Sequence, residues 1–358
     1  MFVLDSHCDT PSQILRLRDL SLDNAHAHVD FPKLKKGRVD GAFFALYVPA
    51  YLDSDSDSAW DYALRLYTCV EDAVKANSAH AAMATSQEQA LKNKSEGLFS
   101  VFLGLENGSP IGHSIDRLHA LYGMGVRYIT LCHSGNNEIC DSCAPLHKRW
   151  GGLSPFGKEL VSEMNRIGML IDVSHVSDST FYDVLSRSVK PVVATHSCCR
   201  ALSSHPRNMS DDMIRSLADA GGVIQINFYP VFLDSTFQTV LKESGIIECG
   251  DVVEAEFIKD PYDSLKRDAW YSVQEELNSL ARPSFRLIAD HIDHVVNLVG
   301  IDHVGIGSDF DGIEVTPSGL EDISALPVLF DELRSRGYME NDLEKLASGN
   351  FFRIMRQD

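Results

Sequence analysis

Residues 1–9 of the chain read MFVLDSHCD, a short apolar run that ends in the triplet His7-Cys8-Asp9. A run of this kind is typical of a β-strand that is buried on both faces. Side chains two positions apart in a strand point the same way, so His7 and Asp9 are expected to face one spot at the carboxyl end of the strand. One imidazole and one carboxylate aimed at one spot form half of a metal site.

Single His or acidic residues end further apolar runs along the chain. Glu106 ends VFLGLE, His133 ends YITLCH, His175 ends LIDVSH, His196 ends VVATH and Asp309 ends VGIGSD. With two further runs, the chain has eight candidate strands: Phe2–His7, Ala42–Val48, Leu98–Glu106, Tyr128–His133, Met169–His175, Val192–His196, Val223–Phe228 and His303–Asp309.

Helical patterns separate these runs, at Ala59–Asn77, at Lys158–Ile167 before Gly168, and at Asp211–Ala220 after the N-cap residue Ser210. Alternating strands and helices favour a parallel sheet with helices outside it. Eight parallel strands are the number that a closed (β/α)8 barrel needs. The sequence therefore predicts an α/β fold, a TIM-like barrel that forms a single domain over residues 1–358.

Two regions exceed the bare barrel. Residues 230–263 follow the seventh strand as an insert at the rim, and residues 264–300 read as a long helix with a break near Pro283. Insertions after strands lie on the face that carries barrel active sites, so this insert is a candidate cover for the site. A peripheral pair of helices, used for packing or for contact in a homodimer, is the equally open alternative.

Composition limits the choice of partners. The net charge of −19 argues against nucleic acid and against an anionic membrane surface. No stretch reaches the ~20 apolar residues of a membrane-spanning helix, and the first ten residues read as a strand rather than a leader, so a cytoplasmic location is expected. The eight cysteines are then expected to be reduced, while Cys140-x-x-Cys143 leaves open a local metal or disulfide role.

The His and acidic residues at the strand ends predict a metal centre. In a closed barrel the carboxyl ends of the strands surround one mouth, so these side chains are within reach of a shared point. The candidate ligands are His7, Asp9, Glu106, His175 and His196. Imidazoles with carboxylates suit Zn²⁺, and five ligands exceed the need of one tetrahedral ion.

Two zinc ions per chain, with Glu106 as the bridge, account for the five ligands better than one. His7 and Asp9 would hold one ion, and His175 and His196 the other. Two ions about 3.5–4 Å apart hold a hydroxide between them and polarise a carbonyl, which is the chemistry of a hydrolase. For each residue taken alone, a hydrogen-bonded position on the rim is the alternative.

Asp309 is the candidate proton carrier, because a carboxylate beside metal-bound water serves as general base and then as acid to the leaving group. Asp311 competes with it. The chain is expected to be leaving the barrel at Asp311, so the hypothesis favours Asp309, and Asp311 is expected to orient the loop.

At this point the motifs together resemble the renal (membrane) dipeptidase family of zinc peptidases, within the amidohydrolase superfamily. The resemblance covers residues 2–312, in the family's order. It lies in DSHCDTP at 5–11, GLENG at 104–108, DVSHVS at 172–177, THS at 195–197, RNM at 207–209 and GSDFDG at 307–312.

The resemblance implies a binuclear zinc site in a distorted barrel that hydrolyses dipeptides, often with a D-residue at the C-terminal position. By this resemblance the five candidate ligands fall on the family's metal ligands, with Glu106 bridging, and Asp309 falls on its proton-transfer acid. His133 falls on the histidine that stabilises the oxyanion, Arg207 on the arginine that pairs with the substrate carboxylate, and Tyr229 near the substrate wall.

Elementary chemistry permits the last roles without fixing them. A preorganised His133 can donate a hydrogen bond to an oxyanion, but a core histidine is an equal alternative. Arg207 offers a planar fork to a carboxylate, whereas a surface ion pair is the simpler interpretation of an arginine in a loop.

Two other functions stay open. A deaminase or another amide hydrolase of the superfamily is one, although mononuclear deaminases usually begin with His-x-His rather than with the triplet seen here. A non-catalytic metal-binding protein is the other, and a complete ligand set with a candidate base argues against it.

Overall fold

A computed structural model describes residues 1–356, and the described chain contains nine β-strands that pair in parallel in one sheet. The strands are β1 Leu4–Cys8, β2 Gly41–Tyr47, β3 Ala81–Met83, β4 Phe99–Glu106, β5 Val126–Thr130, β6 Leu170–Asp172, β7 Val193–Ser197, β8 Val223–Ile226 and β9 Val304–Ile306.

Eight of these strands form the barrel, in the order β1-β2-β4-β5-β6-β7-β8-β9. The sheet closes just beyond its two end strands, where the Asp309 amide donates to the His7 carbonyl (3.0 Å) and the Asp9 amide donates to the Phe310 carbonyl (2.8 Å). These strands are buried almost throughout, as continuous apolar runs require. The predicted TIM-like barrel is confirmed.

The short strand β3 was missed by the sequence reasoning. It pairs with β4 only over Phe99–Val101, while β5 pairs with β4 from Leu103 onward, so β3 and β5 share one edge of β4 in succession. Three residues, Ala-Ala-Met, carry too little pattern to be recognised as a strand.

Five predicted strands extend too far at their carboxyl ends, β2 by one residue, β8 by two, and β5, β6 and β9 by three. The strands β5, β6 and β9 end at Thr130, Asp172 and Ile306, so His133, His175 and Asp309 lie three residues beyond them, on loops. His175 and Asp309 have φ angles of +67° and +64°, which are incompatible with strand conformation. The prediction that these residues close strands is wrong, although it placed them at the correct end of the barrel.

The helices lie outside the sheet. Ser210 caps a helix by accepting a backbone hydrogen bond, as predicted, and Gly168 ends another in the left-handed conformation. The helices are α1 Thr10–Leu15, α2 Phe31–Lys36, α3 Ser56–Ala76, α4 Gln87–Ser95, α5 Ile115–Gly123, α6 Pro155–Ile167, α7 Asp178–Arg187, α8 Asp211–Asp219, α9 Pro230–Leu233, α10 Ser235–Ser244, α11 Ile246–Lys259, α12 Ser264–Ser279, α13 Arg286–Val299, α14 Leu326–Ser335, α15 Glu340–Glu344 and α16 Asn350–Met355. Within residues 1–356, no helix combines the length and the apolar character needed to cross a bilayer.

The insert after β8 is longer than predicted and has a small hydrophobic cluster apart from the main core. That cluster contains Phe237, Leu241, Ile246 and Leu277 of the insert together with Val315 of the loop after β9, so α12 packs with α10 and α11 against that loop. The predicted break at Pro283 separates α12 from α13, and α13 returns to the main core. The insert therefore covers residues 230–279.

We predict that Leu277→Ala destabilises the insert by about 2–5 kcal/mol, because Leu277 is 1% exposed and its removal leaves a cavity. Leu265→Ala on the same helix is the matched control, because Leu265 is 79% exposed and its loss is expected to change stability by about 0.5 kcal/mol or less. Urea unfolding with hydrogen exchange over residues 230–279 measures both. Equal hydrogen-exchange protection of residues 230–279 in the two variants would contradict the packing of Leu277 in the hydrophobic cluster of the insert.

Candidate metal centre

The two carboxylate oxygens of Glu106 face two different sets of side chains at the barrel mouth. Glu106 Oε1 lies 3.1 Å from His175 Nε2 and 3.4 Å from His196 Nε2. Glu106 Oε2 lies 3.5 Å from His7 Nε2, which is itself 3.6 Å from Asp9 Oδ2. The structure thus brings all five predicted ligands together, with Glu106 between two pairs.

Several of these polar atoms lack a partner among the described residues. His7 Nε2 and Asp9 Oδ1 are buried without any hydrogen bond. Buried polar groups in native proteins are rarely left unsatisfied, and such atoms mark a missing water or ion. His175 Nε2 and His196 Nε2 lie 2.9 Å apart, with the Glu106 carboxylate facing both. This set of nitrogen and carboxylate donors fits divalent metal ions of the zinc type.

The orientation of His7 depends on Tyr128. The Tyr128 hydroxyl lies 2.9 Å from His7 Nδ1, so in the tautomer that donates from Nδ1 the Nε2 lone pair faces the centre. Gly104 makes room for this tyrosine, because a Cβ atom there would lie 2.1 Å from the Tyr128 ring. Burial raises the pKa of Tyr128 well above its ordinary value, so the hydroxyl stays protonated.

A buried aspartate orients His196. Asp172 Oδ2 accepts hydrogen bonds of 2.6 Å from the hydroxyls of Thr130 and Thr195, and its Oδ1 accepts from the Ser174 amide. The Thr195 oxygen lies 2.8 Å from His196 Nδ1. Because the Thr195 proton goes to Asp172, its oxygen accepts from His196 Nδ1–H, which leaves Nε2 as a metal-binding lone pair.

Backbone strain concentrates at the rim. Of the six non-glycine residues with positive φ in residues 1–356, four lie here: Asn107 (+76°), His175 (+67°), Asp309 (+64°) and Asp311 (+66°). Each such residue costs on the order of 1–3 kcal/mol and persists where the surrounding structure holds it, typically at functional sites.

Asp309 faces the cavity and belongs to the centre. Its Oδ1 lies 4.0 Å from His7 Nε2, while Asn227 Nδ2 donates to its Oδ2 at 2.8 Å. Asp311 has other partners: it pairs with Arg18 (2.5 Å) and accepts from the Thr10 hydroxyl (2.9 Å). The carboxylate of Asp311 thus joins the loop after β9 to the N-terminal segment.

Burial dominates the electrostatics of the centre. It raises the pKa of Asp9 to about 6 and that of Asp309 to about 7, with neighbouring carboxylate charges adding to the effect. Burial, with the Arg207 charge, lowers the pKa of His133 to about 3, and burial also lowers the pKa of His175 and His196. His7 differs, because its burial is outweighed by the charges of Glu106 and Asp9, which raise its pKa. A cation bound among these acids would supply that positive charge in place of a proton and leave the imidazoles neutral.

The remaining predicted residues differ in their placement. His133 lines the cavity, with its Nε2 3.8 Å from Glu106 Oε1, a position that suits an oxyanion donor and a metal ligand alike. Tyr229 also lines the cavity. Arg207 is buried behind the wall, where it donates to Ser197 and to the His196 carbonyl, and the ring of Phe232 lies 5.6 Å from its guanidinium carbon. The structure therefore does not bring Arg207 to the cavity surface.

The cavity above the centre has a volume of about 530 Å³, within the range of small-molecule sites. Glu254, Ile258, Trp270 and Gln274 of the insert line it. Arg16 forms a 2.7 Å ion pair with Glu254, which joins the N-terminal segment to the insert. The insert thus covers the site, so the alternative of a purely peripheral helix pair does not hold.

The Cys140-x-x-Cys143 motif takes no part in the centre. All eight cysteines are free thiols, and Cys140 is buried while Cys143 is partly buried. The clusters of possible metal ligands in residues 1–356 contain only His, Asp and Glu side chains.

Comparison with known proteins identifies the family. Residues 1–358 match the family described as membrane dipeptidase (peptidase family M19). The dipeptidase verJ of Clonostachys rogersoniana is 32% identical over 370 residues, covering 99% of this chain and 83% of that protein. The chain belongs to the membrane dipeptidase family. The dipeptidase aclJ of Aspergillus oryzae is 34% identical over 350 residues, covering 96% of this chain and 73% of that protein.

Among solved structures, the fold is similar to that of the probable dipeptidase PvdM from Pseudomonas aeruginosa. The TM-score is 0.81 at 28% identity, covering 100% of this chain and 95% of that one. Family membership confirms the resemblance stated above and the expected enzyme class, a dipeptidase that works with bound metal.

Sequence reasoning missed the residues that position the ligands: Tyr128, Asp172, Thr195, Asn227 and Gly312. Only Asp172 carried a signal, as an acidic residue at the end of a buried run. Gly312 matters through its lack of a side chain, because a Cβ atom there would lie 2.1 Å from Asp9 Oδ2 and 2.7 Å from Asp309 Oδ1.

We predict that Gly312→Ala lowers metal content and activity at least tenfold, because the added methyl group displaces the Asp9 carboxylate. Gly123→Ala is the matched control, since no atom lies within 4 Å of its Cβ position. Elemental analysis of the purified proteins gives the metal content, and circular dichroism checks the fold. Full metal loading of Gly312→Ala would show that Asp9 is not a ligand in this geometry.

Proposed function

We propose that this dipeptidase holds two zinc ions, one between His7 and Asp9 and one between His175 and His196, with Glu106 bridging them. The observation that carries the proposal is the division of the Glu106 oxygens between these two pairs. Each pair with Glu106 supplies three protein ligands, which leaves room at each ion for a further ligand. When bound, two such ions polarise a carbonyl and activate water for attack on it.

Asp309 is proposed as the proton carrier. Its Oδ2 is held by Asn227, while its Oδ1 faces His7 and Asp9 across the centre. A carboxylate in this position takes a proton from the attacking water and delivers it to the leaving amine. The burial that raises the pKa of Asp309 to about 7 brings its proton affinity near neutral pH, where a single group can perform both steps.

His133 and Arg207 are proposed to bind the two polar ends of the scissile region. A His133 imidazole at the cavity surface donates to the oxyanion that develops on the carbonyl. Arg207 has a buried Nε without a partner and further N–H groups for a carboxylate. Phe232 lies over its guanidinium, so the substrate carboxylate reaches Arg207 only when that ring moves aside.

Dipeptides are the proposed substrates, including L-Xaa-D-Xaa as well as L-Xaa-L-Xaa. The cavity supports a short substrate, since the insert and the N-terminal segment close it through the Arg16–Glu254 pair. The wall next to the centre carries Tyr47, Tyr62 and Tyr229, which suit the apolar parts of a small peptide.

A cytoplasmic location and a homodimer complete the proposal. Eight free thiols, five of them fully buried, fit a reducing compartment better than an oxidising one. Exposed apolar side chains on the insert, Val252 and Tyr262, support contact with a second copy. Size-exclusion chromatography with light scattering decides the oligomeric state.

We predict that chelation of the metal abolishes hydrolysis of Ala-L-Ala and Ala-D-Ala. Added zinc is expected to restore activity in proportion to the zinc bound, up to two ions per chain. The reason is that the centre has two sets of ligands rather than one. Amino acid release against measured zinc content gives the stoichiometry. Full activity at one zinc ion per chain would contradict the binuclear site. Metal-loaded protein that hydrolyses no dipeptide would contradict the dipeptidase function. Release of ammonia from a nucleobase, without cleavage of dipeptides, would favour a deaminase.

We predict that Asp309→Asn keeps both ions but lowers kcat by at least about a hundredfold, because general acid–base catalysis typically contributes 10²–10⁴-fold. The amide keeps the shape of the side chain and removes its proton affinity. Asp311→Asn is the control that separates a proton role from a loop role, since Asp311 pairs with Arg18. Retained turnover in Asp309→Asn removes Asp309 from the mechanism.

A further inference from the structure

The loop after β9 places an acidic residue, Glu314, on the cavity wall without a cationic partner. The other acidic residues of the wall that lie outside the metal centre are paired: Glu254 with Arg16, and Asp311 with Arg18. No lysine, arginine or histidine nitrogen of the described chain forms an ion pair with Glu314; its side-chain partner is the hydroxyl of Tyr229. Glu314 is therefore a carboxylate that faces the cavity without a compensating charge.

The surroundings of Glu314 favour a positive ligand. Burial, with the charges of Glu254 and Asp309 in addition, raises the pKa of Glu314 to about 7 although Tyr229 donates to it. Across the cavity, Gln274 of the insert has a buried amide oxygen without a hydrogen-bond partner. The wall thus offers hydrogen-bond acceptors and negative charge. An ammonium or guanidinium group on a ligand supplies both the hydrogen-bond donors and the positive charge that would pair with them.

The position of Arg207 indicates which residue of the substrate reaches Glu314. On the proposed function, the C-terminal carboxylate of the dipeptide is drawn to the Arg207 charge behind the His196 strand. A positive side chain on that C-terminal residue would then lie near a like charge. The N-terminal residue lies on the other side of the scissile bond from that carboxylate, so a positive side chain there stays away from Arg207 and is free to meet Glu314 on the cavity wall.

We propose that Glu314 is a specificity residue that receives the basic side chain of a lysine or arginine at the N-terminal position of the dipeptide. This inference rests on the proposed dipeptidase function and adds to it a substrate class, dipeptides with a basic first residue. Tyr229 holds the carboxylate in place, and the cavity of about 530 Å³ has room for a long side chain beyond the centre.

The experiment compares Lys-Ala with norleucine-Ala, because norleucine has the four-carbon chain of lysine without its ammonium group. The wild-type enzyme is expected to prefer Lys-Ala in kcat/KM by roughly tenfold to a hundredfold, the range for a hydrogen-bonded charge. Glu314→Gln is expected to reduce this ratio to within about twofold, and Glu314→Lys to make Glu-Ala the better substrate. A comparison of Ala-Lys with Ala-norleucine tests whether the basic side chain is recognised at the C-terminal position. The two substrates are expected to have equal kcat/KM values.

Glu321→Gln is the matched control, because Glu321 lies in the same segment with 55% of its side chain exposed, and its ratio is expected to equal that of the wild type. A ratio of substrates is insensitive to the folded fraction, so partial misfolding of a variant does not imitate the effect. Equal loss of Lys-Ala and norleucine-Ala turnover in Glu314→Gln overturns the proposal, since Glu314 then serves every substrate or only the fold. Hydrolysis of norleucine-Ala without any preference for Lys-Ala overturns this inference alone, whereas hydrolysis of neither by zinc-loaded enzyme overturns the proposed function.

Discussion

The structure depends on the confinement of three carboxylates, Asp9, Glu106 and Asp309, within one buried mouth of the barrel. Two like charges 4 Å apart repel each other by about 4 kcal/mol at the effective dielectric constant of a protein surface, and burial adds to this cost. The raised pKa values of Asp9 and Asp309 express that cost. A positive charge placed among the three carboxylates offsets this repulsion, which is why the arrangement favours bound cations.

The layer behind the ligands keeps this unfavourable arrangement in place. The hydrogen bond from the Asp309 amide to the His7 carbonyl closes the barrel at the point where both side chains enter the metal centre. Asp5, itself buried, accepts from the Ser308 amide at 2.8 Å and so ties the first strand to the loop of Asp309. Closure of the barrel and assembly of the centre therefore use the same contacts, and damage to either is expected to disturb the other.

Much of the fold, and the convergence of the five candidate ligands on one mouth of the barrel, was predictable, because both follow from local pattern. A buried strand reads as an apolar run, and a histidine or acid at its end is conspicuous, as with Glu106 and His196. Where the run continues past the strand, the pattern fails: Leu131 and Cys132 are buried like strand residues, yet the chain has already left the sheet. Tyr128 and Thr195 were not predictable as ligand supports, since their roles depend on which strands become neighbours. The extent of the insert was also hidden, because the pattern of α12 shows an apolar face but not what that face packs against.

Chemistry and selectivity are carried by different parts of the chain. The candidate ligands lie on strand ends and on strained loops that the barrel fixes, so their positions leave little freedom to vary. The outer wall comes from the N-terminal segment, the insert and the loop after β9, which meet through side-chain pairs such as Arg16–Glu254 rather than through a continuous sheet. Because these contacts lie outside the barrel sheet, the wall can change without loss of the fold. Within one family, substrate preference is therefore expected to follow the residues of this wall, Glu314 among them, while the metal centre stays the same.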